Sequence, residues 1–174
     1  LYRKGHWDIA LAFFKNADIL DFSEKTEASP DRYAYDIGGR NKETNQGNVR
    51  VAYHWGDRWE QEFGISAMLG GVYNMDTERM GTHSAFAVHY VVNYKNWNFK
   101  TQYTTYGINP INEEGESRRL VTAVAYGSPY EIAAKADTYT AALAYTFPIN
   151  KGILNNIQVY NDFSVMHKHE ERIN

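Results

Sequence analysis

Few residues in this chain stand at spacings that could do chemistry. The densest group is His167, His169, Glu170 and Glu171. On a strand, a spacing of two sets both imidazoles on one face, where they could offer nitrogen donors to a metal. No second cluster completes a coordination sphere, so the group reads as a solvated strand end and no metal site is expected. Glu60 and Glu62 share a face in the same way and would suit paired-carboxylate chemistry in a cleft, but a hydrated wall is the ordinary reading. Ser66, Ser84 and Ser164 are isolated strand serines without a nucleophile-elbow context. Gly70-Gly71 has no following Lys-Ser or helix start, so it reads as a bend or a close backbone approach instead of a phosphate loop. Arg118-Arg119 follows the acidic run Glu113-Glu114-Gly115-Glu116. It reads as a local ion-pairing cluster, with solute steering as the other reading. No catalytic residue and no cofactor emerges.

Bulk composition narrows the classes further. At 174 residues the chain is long enough for one domain, 1–174, and nothing forces a second. A formal net charge of −3 gives no basic footprint for nucleic acid. The absence of cysteine removes disulfide frameworks and thiolate chemistry. Aromatic residues make up 15 % of the chain against 4 prolines, a balance that suits extended strands. No apolar run reaches the length of a membrane helix, and mean hydropathy is −0.59. That value is compatible with a membrane barrel, because only alternate residues of each strand face lipid.

The elements that must carry these residues are strands. Phe86, Val88, Tyr90, Val92 and Tyr94 alternate with Ala85, Ala87, His89, Asn93 and Lys95. Trp97, Phe99, Thr101 and Tyr103 resume the alternation after a residue or two, which predicts a hairpin. Val49, Val51, Tyr53 and Trp55 turn at Gly56-Asp57-Arg58 into a second hairpin through Trp59, Gln61, Phe63, Ile65, Ala67 and Leu69. Further strands are predicted over residues 6–14, 119–126, 138–147 and 157–168, with an extra short strand near 33–37. Connections are tight at Gly56-Asp57-Arg58 and Lys95-Asn96. They are long and polar over residues 16–47, 75–83 and 108–118, as in a barrel with short turns at one rim and long loops at the other.

Strand length, aromatic placement and charge point to a membrane wall. The runs over 59–73 and 83–95 exceed the roughly five or six residues usual for soluble strands. Trp55, Trp59, Tyr94 and Trp97 stand where strands meet tight turns, as a girdle at lipid headgroup level would. The polar faces carry charges: Arg50, His54, Glu60, Glu62, Lys100, Arg119 and Asp162 are the expected pore-lining residues, and Asp137 and Lys168 are counted on the same wall. The expected fold is an all-β, antiparallel, up-and-down transmembrane β-barrel.

The runs Val124-Ala125-Tyr126-Gly127-Ser128-Pro129-Tyr130, Ala133-Ala134-Lys135-Ala136-Asp137-Thr138-Tyr139 and Tyr160-Asn161-Asp162-Phe163-Ser164-Val165, with the hairpin at residues 93–97, resemble the phosphate-selective porin O and P family and its porin-like relatives. The resemblance is firmest over residues 84–168. It implies a sixteen-stranded barrel, usually a homotrimer, of which this chain is an interior portion. Leu1 at the start and the polar ending through Asn174 fit the same expectation. The family's phosphate-selective members line their channels with Arg and Lys ladders, whereas the polar faces here mix both signs, so anion selectivity is not carried over.

The expected function is passive diffusion of ions or small polar solutes across the outer membrane of a Gram-negative bacterium, with the lipid bilayer as partner and no enzymatic step. Residues 16–47 are the expected segment for narrowing the pore. The alternatives are a non-conducting barrel for anchoring or binding, and a soluble lipocalin-like ligand-binding barrel.

Overall fold

The structure is a computed structural model that describes residues 2–15, 36–125 and 128–170. Period-two alternation yields strands throughout: β1 (Tyr2–Lys4), β2 (Trp7–Phe14), β3 (Asp36–Ile37), β4 (Asn41–Trp55), β5 (Trp59–Asn74), β6 (Arg79–Tyr94), β7 (Trp97–Asn109), β8 (Leu120–Ala125), β9 (Ser128–Ala133), β10 (Lys135–Lys151) and β11 (Leu154–Lys168). Eight of them form one antiparallel meander in the order β1-β2-β4-β5-β6-β7-β10-β11. The remaining three form a small sheet, β3-β8-β9. Among the described residues β1 and β11 do not pair, so the large sheet is open.

Side-chain parity is continuous across the meander. Phe63 pairs with Tyr53 on one side and Tyr90 on the other, while Glu62 pairs with His54 and Val91. One face therefore collects Leu11, Val49, Ile65, Phe86, Leu143 and Phe163, and the other collects Asp8, Arg50, Glu62, His89, Gln102 and Asp162. The apolar face is the exposed one: Leu69 is 65 % exposed, Phe163 62 % and Phe63 48 %. On the polar face, His89 and Asp8 keep only 12 % and 13 % of their side-chain surface open. The sheet is thus concave on its polar side.

Several strands run further than alternation predicted. β6 begins at Arg79, so residues 75–78 make a four-residue turn in place of the long loop expected over 75–83. The reason is local capping. The Asn74 side-chain oxygen accepts the backbone N–H groups of Asp76 (3.0 Å) and Thr77 (2.9 Å), and Met75 N–H donates to the Arg40 carbonyl at 2.9 Å. Polar residues here extend a ladder instead of ending it. The expected strand over 33–37 is described only as Asp36–Ile37, and residues 16–35 lie outside the described residues.

A β-bulge interrupts β4, where the register with β5 shifts between Thr44 and Gln46 and Asn45 takes a φ of 28°. Gly70 and Gly71 stand opposite, paired with Gln46 and Thr44. A Cβ on either glycine would run into those side chains, so the glycine pair is the close approach expected of it. Past the bulge the parity of β4 inverts, and Asn41 and Glu43 join the polar face opposite Asn74 and Val72.

The small sheet packs against that face at the end away from the tight turns. Ile37, Val121 and Ala134 meet Val72 and Ile108, with Tyr106 and Ile132 packed around them. A knot of buried amides holds the segment after β7: Asn74 Nδ2 donates to Asn41 Oδ1 (3.0 Å) and Asn112 Oδ1 (3.1 Å), and Asn112 Nδ2 donates to the Ser117 carbonyl (2.7 Å). Thr77 Oγ1 also donates to the Ile111 carbonyl at 2.6 Å. Each amide has a partner, so burial leaves these groups satisfied.

Candidate functional site: the polar face of the sheet

Register brings the expected wall residues into rows. His54, Glu62, Val91, Lys100, Ala142 and Asp162 are successive cross-strand partners on β4, β5, β6, β7, β10 and β11. Four of the seven expected pore-lining residues thus share one row. Glu60 lies one row nearer the tight turns, opposite Asn93, and Arg50 pairs with Ser66. Arg119 is placed elsewhere: it immediately precedes β8 of the small sheet, where its carbonyl accepts the Ala134 N–H at 2.8 Å. Asp137 is corrected outright. It pairs with Thr105 and His167 on the apolar face, two residues from Tyr139, and its carboxylate accepts from Tyr103 Oη at 2.9 Å and contacts His169 Nε2 at 2.8 Å.

Over β1 to β6 a chain of charged side chains on the polar face runs in mutual contact. Arg3 Nε contacts Asp8 Oδ1 at 3.1 Å, and Asp8 Oδ2 contacts His54 Nε2 at 3.2 Å. His54 Nδ1 then reaches Glu62 Oε2 at 3.4 Å, while Glu62 Oε1 takes Arg50 Nη2 and, at 2.6 Å, His89 Nε2. Gly64, the partner of His89, has no side chain because a Cβ there would collide with the imidazole ring. The paired-carboxylate possibility for Glu60 and Glu62 is not realised, since Glu62 is engaged by three cationic or imidazole groups.

Over β6 to β11 the same face opens into a cleft of about 1080 Å³. Ala142 and Ala144 form its floor; Asn98 and Lys100 stand on one side, Tyr160 and Asp162 on the other. The lining mixes amides and hydroxyls with Lys95, Lys100 and Asp162, and the Asn98, Gln102 and Gln158 amides donate to the side chains of Asn93, Thr104 and Thr146. Among the described residues, the side chains of Lys100 and Asp162 carry no ion pair or hydrogen bond.

The opposite face carries rings in a line at the tight-turn rim. Trp59, Tyr94, Trp97 and Tyr145 are successive cross-strand partners. Trp59 stacks on Tyr94 with ring centroids 4.2 Å apart, and Trp97 meets Tyr145 edge-on at 4.6 Å. Trp55 continues the row with Tyr53 at 5.8 Å, and Tyr53 meets Trp7 at 4.7 Å. The girdle expected at Trp55, Trp59, Tyr94 and Trp97 therefore lies on one face at one rim, with Trp7, Tyr53 and Tyr145 added.

The remaining candidates stay apart. The imidazoles of His167 and His169 are 5.7 Å apart, but on the apolar face; Glu171 lies outside the described residues, and no group of three or more metal-type ligands occurs among those described. Ser66, Ser84 and Ser164 sit on β5, β6 and β11. Wall residues outside the expected site include Arg3, Asp8, His89 and Gln102. Asp8, His89 and Gln102 lie in expected strands, so their even or odd position is readable, but pairing across strands depends on register; Arg3 precedes every expected strand. Comparison of the chain with protein-family models, with curated proteins and with solved structures returns no match.

Proposed function

We propose that this chain forms part of the wall of an outer-membrane β-barrel channel through which ions or small polar solutes diffuse passively. The observation that carries the reading is the pairing of an exposed apolar face, rimmed by aromatic rings, with a concave polar face on the same eight strands. Soluble proteins rarely leave so broad an apolar surface in water. From Trp59 to Leu69 the strand advances roughly 34 Å, which at a tilt of ~40° spans about 26 Å, the height of a barrel's lipid-facing band. Charges on the concave side stay hydrated only if water fills the enclosed space.

In this reading the homotrimer and the sixteen-strand closure follow from the porin resemblance alone. The small sheet on the polar face is the narrowing element, a role expected of residues 16–47; β8 and β9 supply most of it, and β3 is the described contribution from that segment. Purified protein should require detergent and should give stepwise ohmic currents in planar bilayers. Protein that remains in buffer without detergent would sink the proposal. A non-conducting barrel is the second reading, favoured by that same small sheet covering one end of the polar face; silent bilayers with detergent-dependent folding would select it.

A further inference from the structure

The apolar face carries a charged cluster that passage along the polar face does not use. Asp137 stands there in a row with Thr105 and His167. We propose that Asp137, Tyr103 and His169 form an anchor in the lipid headgroup layer, at the membrane boundary opposite the aromatic row. The inference rests on the membrane-wall reading and deepens it, because it fixes where the hydrocarbon ends on this sheet.

Two tyrosines show where the face turns polar. Tyr90 pairs with Phe63, and its hydroxyl donates at 2.6 Å to Gln61 Oε1, two positions nearer the tight turns. Tyr103 pairs with Tyr139, and its hydroxyl donates at 2.9 Å to Asp137 Oδ1, two positions nearer the opposite end. Each ring keeps its body on the apolar face and its polar tip toward a rim, and the two tips point in opposite directions. The other oxygen of Asp137 lies 2.8 Å from His169 Nε2. Beyond this pair the face stays polar. The His167 ring is 5.7 Å from that of His169, and Lys135 lays its side-chain carbons across Gly107.

Height selects the partner. Phe147 is the last ring of β10 before the tight turn, and it meets Tyr145 edge-on at 4.5 Å. From Phe147 to Asp137 the strand advances roughly 34 Å, which at a tilt of ~40° is about 26 Å of height, close to that of a barrel's lipid-facing band. Within hydrocarbon a carboxylate is costly even when paired, whereas at headgroup level water and lipid polar groups solvate it. A docked protein would account for a polar patch, but not for its height above the aromatic row or for the opposed tyrosine tips.

The chain has no cysteine, so single nitroxide labels report depth without further changes. The full chain carrying Phe163→Cys or His167→Cys is labelled, inserted into vesicles of phosphatidylethanolamine and phosphatidylglycerol, and read by EPR for collisions with oxygen and with a nickel chelate. The label at Phe163 should lie in hydrocarbon, shielded from the chelate. The label at His167 should lie at phosphate level, about 10 Å shallower, from the strand rise between the two sites at ~40° tilt. A His167 label sunk in hydrocarbon, or closed to both reagents by a covering protein, would overturn the anchor. A Phe163 label open to the chelate would instead remove the membrane reading, and the anchor with it. Tyr103→Phe combined with Asp137→Leu should draw the His167 label into hydrocarbon, and an unmoved label would refute the anchoring role. The two label depths alone decide the boundary where the double variant does not insert.

Discussion

The two halves of the polar face use the same rows of residues to opposite ends. On β4 and β5 the row begins with His54 and Glu62, closed into a chain of contacts that also takes in Arg3, Asp8, Arg50 and His89. On β7, β10 and β11 it continues as Lys100, Ala142 and Asp162, where a single alanine holds the charges apart. Strand spacing alone does not decide which groups meet: His83 Nδ1 on β6 reaches Glu43 Oε1 on β4 at 2.6 Å across β5, whereas Lys100 and Asp162, also one strand apart, do not meet. Charge on a wall is therefore structural or available to a solute according to which side chains the register lets meet, not according to residue type.

The largest break in this comparison should come from Glu62→Ala. It leaves Arg50, His54 and His89 facing one another without their shared carboxylate. The part-exposed setting limits the cost, so unfolding in urea, followed by tryptophan fluorescence in detergent, should show a loss of about 2 kcal/mol. The reversal potential in a salt gradient should move toward anion preference, because Arg50 loses its counter-charge. An unchanged reversal potential would mean that the network does not face the conducting path.

Gly64→Ala tests the same network through space alone. The new methyl group must push the His89 ring away from Glu62, at a cost of about 1 kcal/mol by the same unfolding assay. Stability equal to wild type would show that the ring has room to move.

The smallest effect on folding is expected in the open half. Lys100→Met and Asp162→Asn should each stay within about 0.5 kcal/mol of wild type, as exposed substitutions without partners do. Their signature should instead be opposite shifts in reversal potential, toward cations for Lys100→Met and toward anions for Asp162→Asn. If either destabilised the protein as much as Glu62→Ala, the distinction between the halves would fall.

Alternation made much of the sheet legible beforehand. Phe86, Val88, Tyr90 and Val92 were placed on the face opposite His89, and the hairpins at Gly56 and Lys95 were found from their turns. The small sheet was read only in part. β9 is six residues long and contains Pro129, so its alternation is too brief to separate from a loop. Asp137 shares the odd parity of Tyr139, Ala141 and Leu143, so alternation itself sets it on the apolar face and not on the polar wall expected for it. At the start of β10 the Tyr103 hydroxyl and His169 supply the polar partners that make its position tolerable. The contacts of Glu62 were out of reach for another reason: parity names a face, but only the offset between strands says which residues meet.

Asn45 shows how far one residue's influence can extend. Acting as a phase shift in β4, it lets a chain of strict alternation present Arg50 and Asn41, nine positions apart and of opposite parity, to the same side. Excising it would rotate Asn41 and Glu43 outward and draw the amide fastening of the segment after β7 apart, although no fastening residue had been altered. The rim where the small sheet sits is thereby governed by a counting rule as much as by any side chain within it.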